Sequence, residues 1–143
     1  MGGRERSVGA VLTAVVALSR HIAAERRAPF DGADLTRTQL ELLFLLAHAD
    51  APITPSAAAA RLGITAGAVT QLVDGLRAEG IVETVPHPSD GRSRVLRLAP
   101  AHREGLAAFE LGIVRRLSPR FAALDDDELR SLAELLARAV EER

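Results

Sequence analysis

A chain of 143 residues is long enough for one domain with its own core; with 48% hydrophobic residues but four Phe and no Trp or Tyr, that core must be built from Leu, Val, Ala and Ile. The absence of cysteine excludes disulfides, thiolate metal sites and thiol redox switches. A net charge of −1 excludes a uniformly basic surface, yet the charge is segregated: Thr54 to Leu98 carries five Arg against four acids, +1, and Leu124 to Arg143 three Arg against seven acids, −4.

No apolar run approaches the ~20 residues needed to cross a bilayer, and the start does not resemble a signal peptide, so a cytoplasmic protein with no membrane partner is expected. Gly2-Gly3-Arg4-Glu5-Arg6 reads as a disordered N-terminus. From Ser7 to about Arg27, the residues Val8, Val11, Leu12, Val15, Leu18 and Ile22 form a helical stripe wider than a monomer's surface helix needs. His21 lies close to that stripe, at its edge. Pro29-Phe30-Asp31-Gly32-Ala33-Asp34 breaks the helix. Thr36-Arg37-Thr38-Gln39 is a capping box opening a helix through Leu40, Leu42, Leu43, Phe44, Leu45 and Leu46 to about Ala49; apolar almost all round, it should be the central buried helix. His48 suits the negative end of that helix.

Thr54-Pro55-Ser56-Ala57-Ala58-Ala59-Ala60-Arg61-Leu62-Gly63 supplies a cap, a first-turn Pro and a Gly stop, and Thr65 caps the next helix at once. Val69, Leu72, Val73 and Leu76 share one face of that helix, leaving Ala66, Gly67, Thr70 and Gln71 on the other; Gly80 ends it. Two short helices joined by about three residues with a Gly match a helix-turn-helix, whose second helix enters the DNA major groove. Asp74 on this helix looks like an intramolecular partner for an Arg. Ile81–Val85 and Arg94–Leu98 are β-branched, strand-like runs around Pro86-His87-Pro88-Ser89-Asp90-Gly91-Arg92-Ser93, where two prolines bar a regular ladder and Asp90-Gly91 makes a turn. The hairpin reads as a wing holding Arg92 outward, where arginine suits a narrow, electronegative minor groove.

Pro100 opens a long helix bearing Leu106, Phe109, Ile113 and Leu117; Ser118-Pro119 interrupts it, with a short turn through Phe121. Asp125-Asp126-Asp127-Glu128 starts the last helix with acids at its positive end, and Leu129, Leu132, Leu135, Leu136 and Val140 form its apolar face. The expected class is mainly α with a small β-hairpin: one domain over 1–143, with N-terminal helices over 7–49, a winged helix-turn-helix over 54–98 and C-terminal dimerisation helices over 100–141. The terminal helices most simply bury one another across a two-fold axis, through Val8, Val11, Leu12, Val15, Leu117, Leu129, Leu132, Leu136 and Val140.

No catalytic constellation is visible. His21, His48, His87 and His102 are dispersed, no spacing suggests a metal site, and no Gly-rich phosphate loop implies a cofactor. Three readings follow: a dimeric DNA-binding regulator tuned by a small molecule, a winged-helix protein-interaction module with weak or lost DNA binding, and, least supported, a small hydrolase or metal enzyme.

The element order, with Val69-Thr70-Gln71-Leu72-Val73-Asp74-Gly75-Leu76 as recognition helix and Asp90-Gly91-Arg92-Ser93 as a D-x-R-[ST] wing signature, resembles the MarR family of bacterial transcription regulators. The resemblance implies a homodimer on double-stranded DNA with pseudo-palindromic operators, usually a repressor, released when a small aromatic effector binds. Thr65, Ala66, Gly67, Thr70 and Gln71 would face the major groove. Arg92 would enter the minor groove, braced by Asp90, with Ser89 and Arg94 beside it. Thr54 and Ser56 would meet phosphate. An effector pocket would draw on His21, Phe44 and His48. Gln71, Gly75, Glu83 and Thr84 stand where family members often carry basic residues, and Leu98–Arg103 lacks the usual Thr and Gly; each lost charge removes a phosphate contact and keeps the interaction-module reading open.

Overall fold

The structure, a computed structural model, describes residues 2–25 and 34–141. The expected break over Pro29–Asp34, apart from Asp34 itself, and the expected end of the first helix at about Arg27 lie outside them. The elements are α1 (Gly3–Ala24), α2 (Arg37–His48), α3 (Pro55–Leu62), α4 (Ala66–Ala78), β1 (Val82–Pro86), β2 (Arg94–Leu98), α5 (Pro100–Leu117), a 3-10 turn over Ser118–Phe121, and α6 (Asp126–Val140). The chain is therefore mainly α with one antiparallel hairpin. It divides into two compact units, residues 28–109 and residues 1–27 with 110–143.

In the 28–109 unit the helices begin and end where the side chains require. Thr36 Oγ1 accepts from Gln39 N, while Thr36 N donates to Gln39 Oε1, closing the capping box of α2. Thr54 and Thr65 cap α3 and α4 in the same way, accepting from Ala57 N and Ala68 N. Both of these helices stop at a left-handed glycine: Gly63 at φ +65° and Gly80 at φ +70°. The residue after each glycine returns its N–H five residues back, Ile64 to Ala59 O and Ile81 to Leu76 O, which satisfies carbonyls the helix end would orphan. Nothing lies within 4 Å of a Cβ built at either glycine. Gly63→Ala should therefore cost about 1–2 kcal/mol through backbone conformation alone, read as a lowered thermal midpoint.

The core of this unit is the fully buried pair Leu42 and Leu43 of α2, packed with Ala58, Val69, Val73 and Leu76 of the helix-turn-helix and Val82, Leu96 and Leu98 of the hairpin. Val69, Val73 and Leu76 are buried and Leu72 is half-buried, as the helical spacing requires. β1 and β2 pair with Val82 opposite Leu98 and Val85 opposite Val95. One expectation is corrected here: the prolines do not end the ladder. Pro86 pairs with Arg94, and His87 N donates to Ser93 O at 2.8 Å beyond it. With residues 87 and 93 hydrogen-bonded, alternation makes 86 opposite 94 a non-hydrogen-bonded pair, where a missing N–H costs nothing. The same phase turns Leu96 N away from β1, and it donates to Ile53 O at 2.8 Å, so the α2–α3 linker borders β2 as a single bridge.

In the second unit, α1 begins at Gly3, with Gly2 N donating to Glu5 Oε2 at 2.7 Å. The expected disordered N-terminus is thus corrected: Glu5 reaches back to cap the helix that the two glycines appeared to forbid. None of its residues is buried. Among the described residues, α1 alone is long and apolar enough, by length and composition, to cross a membrane. That corrects the expectation that no segment approaches such a length; Gly9, Thr13 and Ser19 interrupt the apolar run without adding charge. Glu25, just past the helix, pairs with Arg116 in the last turn of α5. Pro119 ends α5 in a 3-10 turn, and Asp125 with Glu128 forms a capping box for α6.

Candidate nucleic-acid interface

The first turn and outer face of α4 present Thr65, Ala66, Gly67, Thr70 and Gln71, all exposed, opposite the buried Val69 and Val73. Thr65 spends its oxygen on the cap. Thr70 Oγ1 donates to Ala66 O at 3.1 Å, which leaves its lone pairs outward. No neighbour lies within 4 Å of a Cβ at Gly67, so packing inside the chain does not require this glycine. A Cβ at Gly75 would instead meet Gln39 Nε2 at 3.3 Å: the α2 capping box leans against α4 where this glycine leaves room for it. Asp74 is exposed and in no ion pair among the described residues, which corrects its expected pairing with an Arg; it points to solvent, out of reach of Arg77 one turn on. At the start of α3, Ser56 is exposed, whereas Thr54 is half-buried.

The wing tip is a closed, cross-braced loop. Asp90 uses both carboxylate oxygens, Oδ1 accepting from Arg92 N at 3.0 Å and Oδ2 from Ser93 Oγ at 3.2 Å. Ser93 N donates to Asp90 O, and Ser89 N donates to His87 Nδ1 at 3.0 Å. Asp90 therefore braces Arg92 through its backbone, and the guanidinium is exposed with no acid partner among the described residues. Ser89 is exposed beside it. Arg94 Nη2 donates to Thr84 O at 3.0 Å, holding that cation along β1. Glu83 is neutralised within the hairpin by Arg97 at 2.7 Å, so the acid on β1 does not cancel Arg92. Gly91 makes the turn without a positive φ.

The remaining expected site residues lie elsewhere. Phe44 is half-buried on α2 and stacks on Phe109, centroids 6.3 Å apart. His48 is exposed in the last turn of α2, and His21 is half-buried on α1, in the other unit. A shallow groove between the linker and the outer hairpin face is lined by residues including Ile53, Val85, Pro88, Val95 and Arg97, but by neither Phe44 nor His48. Of the residues expected in a dimer interface, Val8, Val11, Leu12, Val15, Leu132 and Val140 are exposed and Leu129 and Leu136 half-buried, whereas Leu117 is already buried in its own chain. Sequence reasoning missed the bracing role of His87; the signal available was its spacing, two residues before Ser89, which repeats the spacing of Asp90 and Arg92.

A helix with an exposed, uncharged first half followed by an arginine-tipped hairpin is the arrangement of a winged helix-turn-helix, the class of protein that reads duplex DNA. The MarR family model matches residues 33–93. An HTH-type transcriptional regulator of Mycobacterium bovis is 31% identical over 132 residues, 90% of this chain and 89% of that protein. The HTH-type transcriptional regulator YdgJ of Bacillus subtilis is 32% identical over 73% of this chain, which spans 63% of YdgJ's length. The chain belongs to the MarR family of transcriptional regulators and is not an enzyme. Solved structures share the fold: RV1404 from Mycobacterium tuberculosis (TM-score 0.75, 21% identity, 100% and 98% of the two chains), CouR from Rhodococcus jostii bound to p-coumaroyl-CoA (0.71, 18%, 95% and 93%), and Bordetella bronchiseptica BpsR, from a study of how 6-hydroxynicotinic acid regulates its DNA binding (0.62, 22%, 94% and 99%).

Proposed function

We propose that the chain works in the cytoplasm as a homodimeric repressor that binds pseudo-palindromic operators and releases them when a small aromatic effector binds. The observation that carries this reading is the exposed, uncharged first half of α4, Thr65 to Gln71, backed by the buried Val69 and Val73 and joined through β1 to a braced tip with Arg92 outward. Thr65, Ala66, Gly67, Thr70 and Gln71 read the major groove; Arg92 enters the minor groove, with Ser89, Asp90 and Arg94 shaping and flanking the tip; Thr54 and Ser56 meet phosphate. Residues 1–143 act as one unit, and Val8, Val11, Leu12, Val15, Leu129, Leu132, Leu136 and Val140 form the dimer interface. Exposures of 59% at Leu12 and 79% at Val140 support a partner there, since apolar side chains set along one stripe are covered in stable proteins. Fold neighbours carrying p-coumaroyl-CoA or responding to 6-hydroxynicotinic acid support an aromatic effector.

Mapping the protein's occupancy across its own genome tests this reading. A few sites with inverted half-sites about one helical turn apart, near genes whose transcripts rise when the protein is removed, are expected. Occupancy confined to sites shared with other DNA-bound proteins would instead favour an interaction module.

A further inference from the structure

We propose that His87 is a DNA-backbone contact of the wing, donating Nε2–H to a phosphodiester oxygen bordering the groove that the tip enters; the inference rests on the reading of the wing as a DNA contact. An imidazole nitrogen that accepts a hydrogen bond carries no proton, so the bond from Ser89 N to His87 Nδ1 at 3.0 Å places the ring proton on Nε2. No described residue accepts from that Nε2, and the ring is half-buried, held in place and not free to rotate away from its brace. The backbone around it is stiff. Pro86 and Pro88 flank the residue, Pro88 confines His87 to extended conformations, and His87 N is tied to Ser93 O. The result is a single, directional, uncharged donor on a pre-arranged loop that also carries Arg92 and Arg94. A phosphate oxygen accepts and never donates, and backbone contacts of this kind set the register of a protein on duplex DNA without reading its sequence.

His87→Asn separates the donor from the brace. Asn Oδ1 stands where Nδ1 stands and accepts from the N–H two residues on, the bond Asp90 already makes to Arg92 N. The asparagine amide ends one bond short of Nε2. Wild type, His87→Asn, His87→Ala and Arg92→Ala are titrated on a duplex selected by the wild-type chain and on a random-sequence duplex, with the Ser89 amide resonance reporting the brace. His87→Asn should keep the Ser89 resonance and bind both duplexes about three- to ten-fold more weakly, the scale of one neutral hydrogen bond. Its slope of log affinity against log salt should match wild type, because a neutral group releases no counterion. If His87→Asn binds as wild type while Arg92→Ala is weakened, His87 only braces the loop; the proposal falls and the wing reading stands. If Arg92→Ala and both His87 variants all bind as wild type, the wing does not touch DNA and both fall together.

Discussion

Leu132→Asp should turn the proposed dimer into folded monomers. Leu132 is 36% exposed on α6, so within one chain the carboxylate of an aspartate there still reaches water, and far-ultraviolet circular dichroism should show the helices retained. Across a two-fold axis the same change places two carboxylates in a seam lined by leucines, and each buried, unpaired charge costs several kcal/mol. The α6 helix itself is independently secured by the Asp125–Glu128 capping box, which the substitution does not touch. Sedimentation at micromolar concentration should give twice the chain mass for wild type and the chain mass for the variant. A variant that still sediments as a dimer would place the interface away from α6, and a monomeric wild type would remove the two-fold geometry on which operator symmetry rests.

The second large effect belongs to Arg92. Its guanidinium is exposed on a tip whose shape is set by Asp90, His87 and Ser93, not by the arginine itself, so Arg92→Ala should leave the loop intact. A minor-groove arginine meets the strongest local negative potential and reads groove width more than base identity. Its loss should weaken all operators by about 1–3 kcal/mol and reduce the salt slope by about one. Gln71→Ala should behave differently, changing the preference among base sequences while leaving the salt slope in place. A paired salt titration on matched and mismatched duplexes, with dimerisation checked first, distinguishes the two.

What was legible in the sequence was whatever local chemistry decides. Thr54, Thr65, Gly63, Gly80 and Pro119 each settle a helix end by a rule that holds within four residues, and each end falls where those residues place it. The phase of the hairpin was not legible, because which pairs are hydrogen-bonded depends on register and not on residue type; hence Pro86 continues the ladder that it was expected to stop. Glu5 capping α1 escaped notice because two glycines outweighed one acid in a reading by propensity. At the candidate interface the exposed face of α4 followed from periodicity alone, whereas Gln39 against Gly75 and Ile53 against Leu96 are tertiary contacts between segments with no shared pattern. The fate of Glu83 matters most for function: by composition it cancels a cation, but its cross-strand partner Arg97 absorbs it and leaves Arg92 uncompensated.

Selection from a random duplex pool with the full-length chain is the most direct measurement of whether this protein reads DNA. The pool should converge on an inverted repeat with half-sites about one helical turn apart, bound with a dissociation constant of ~10⁻⁸ to 10⁻¹¹ M at physiological salt. Failure to enrich any sequence, even at low salt where phosphate contacts are strongest, would contradict the account and leave the winged helix as a surface for other proteins.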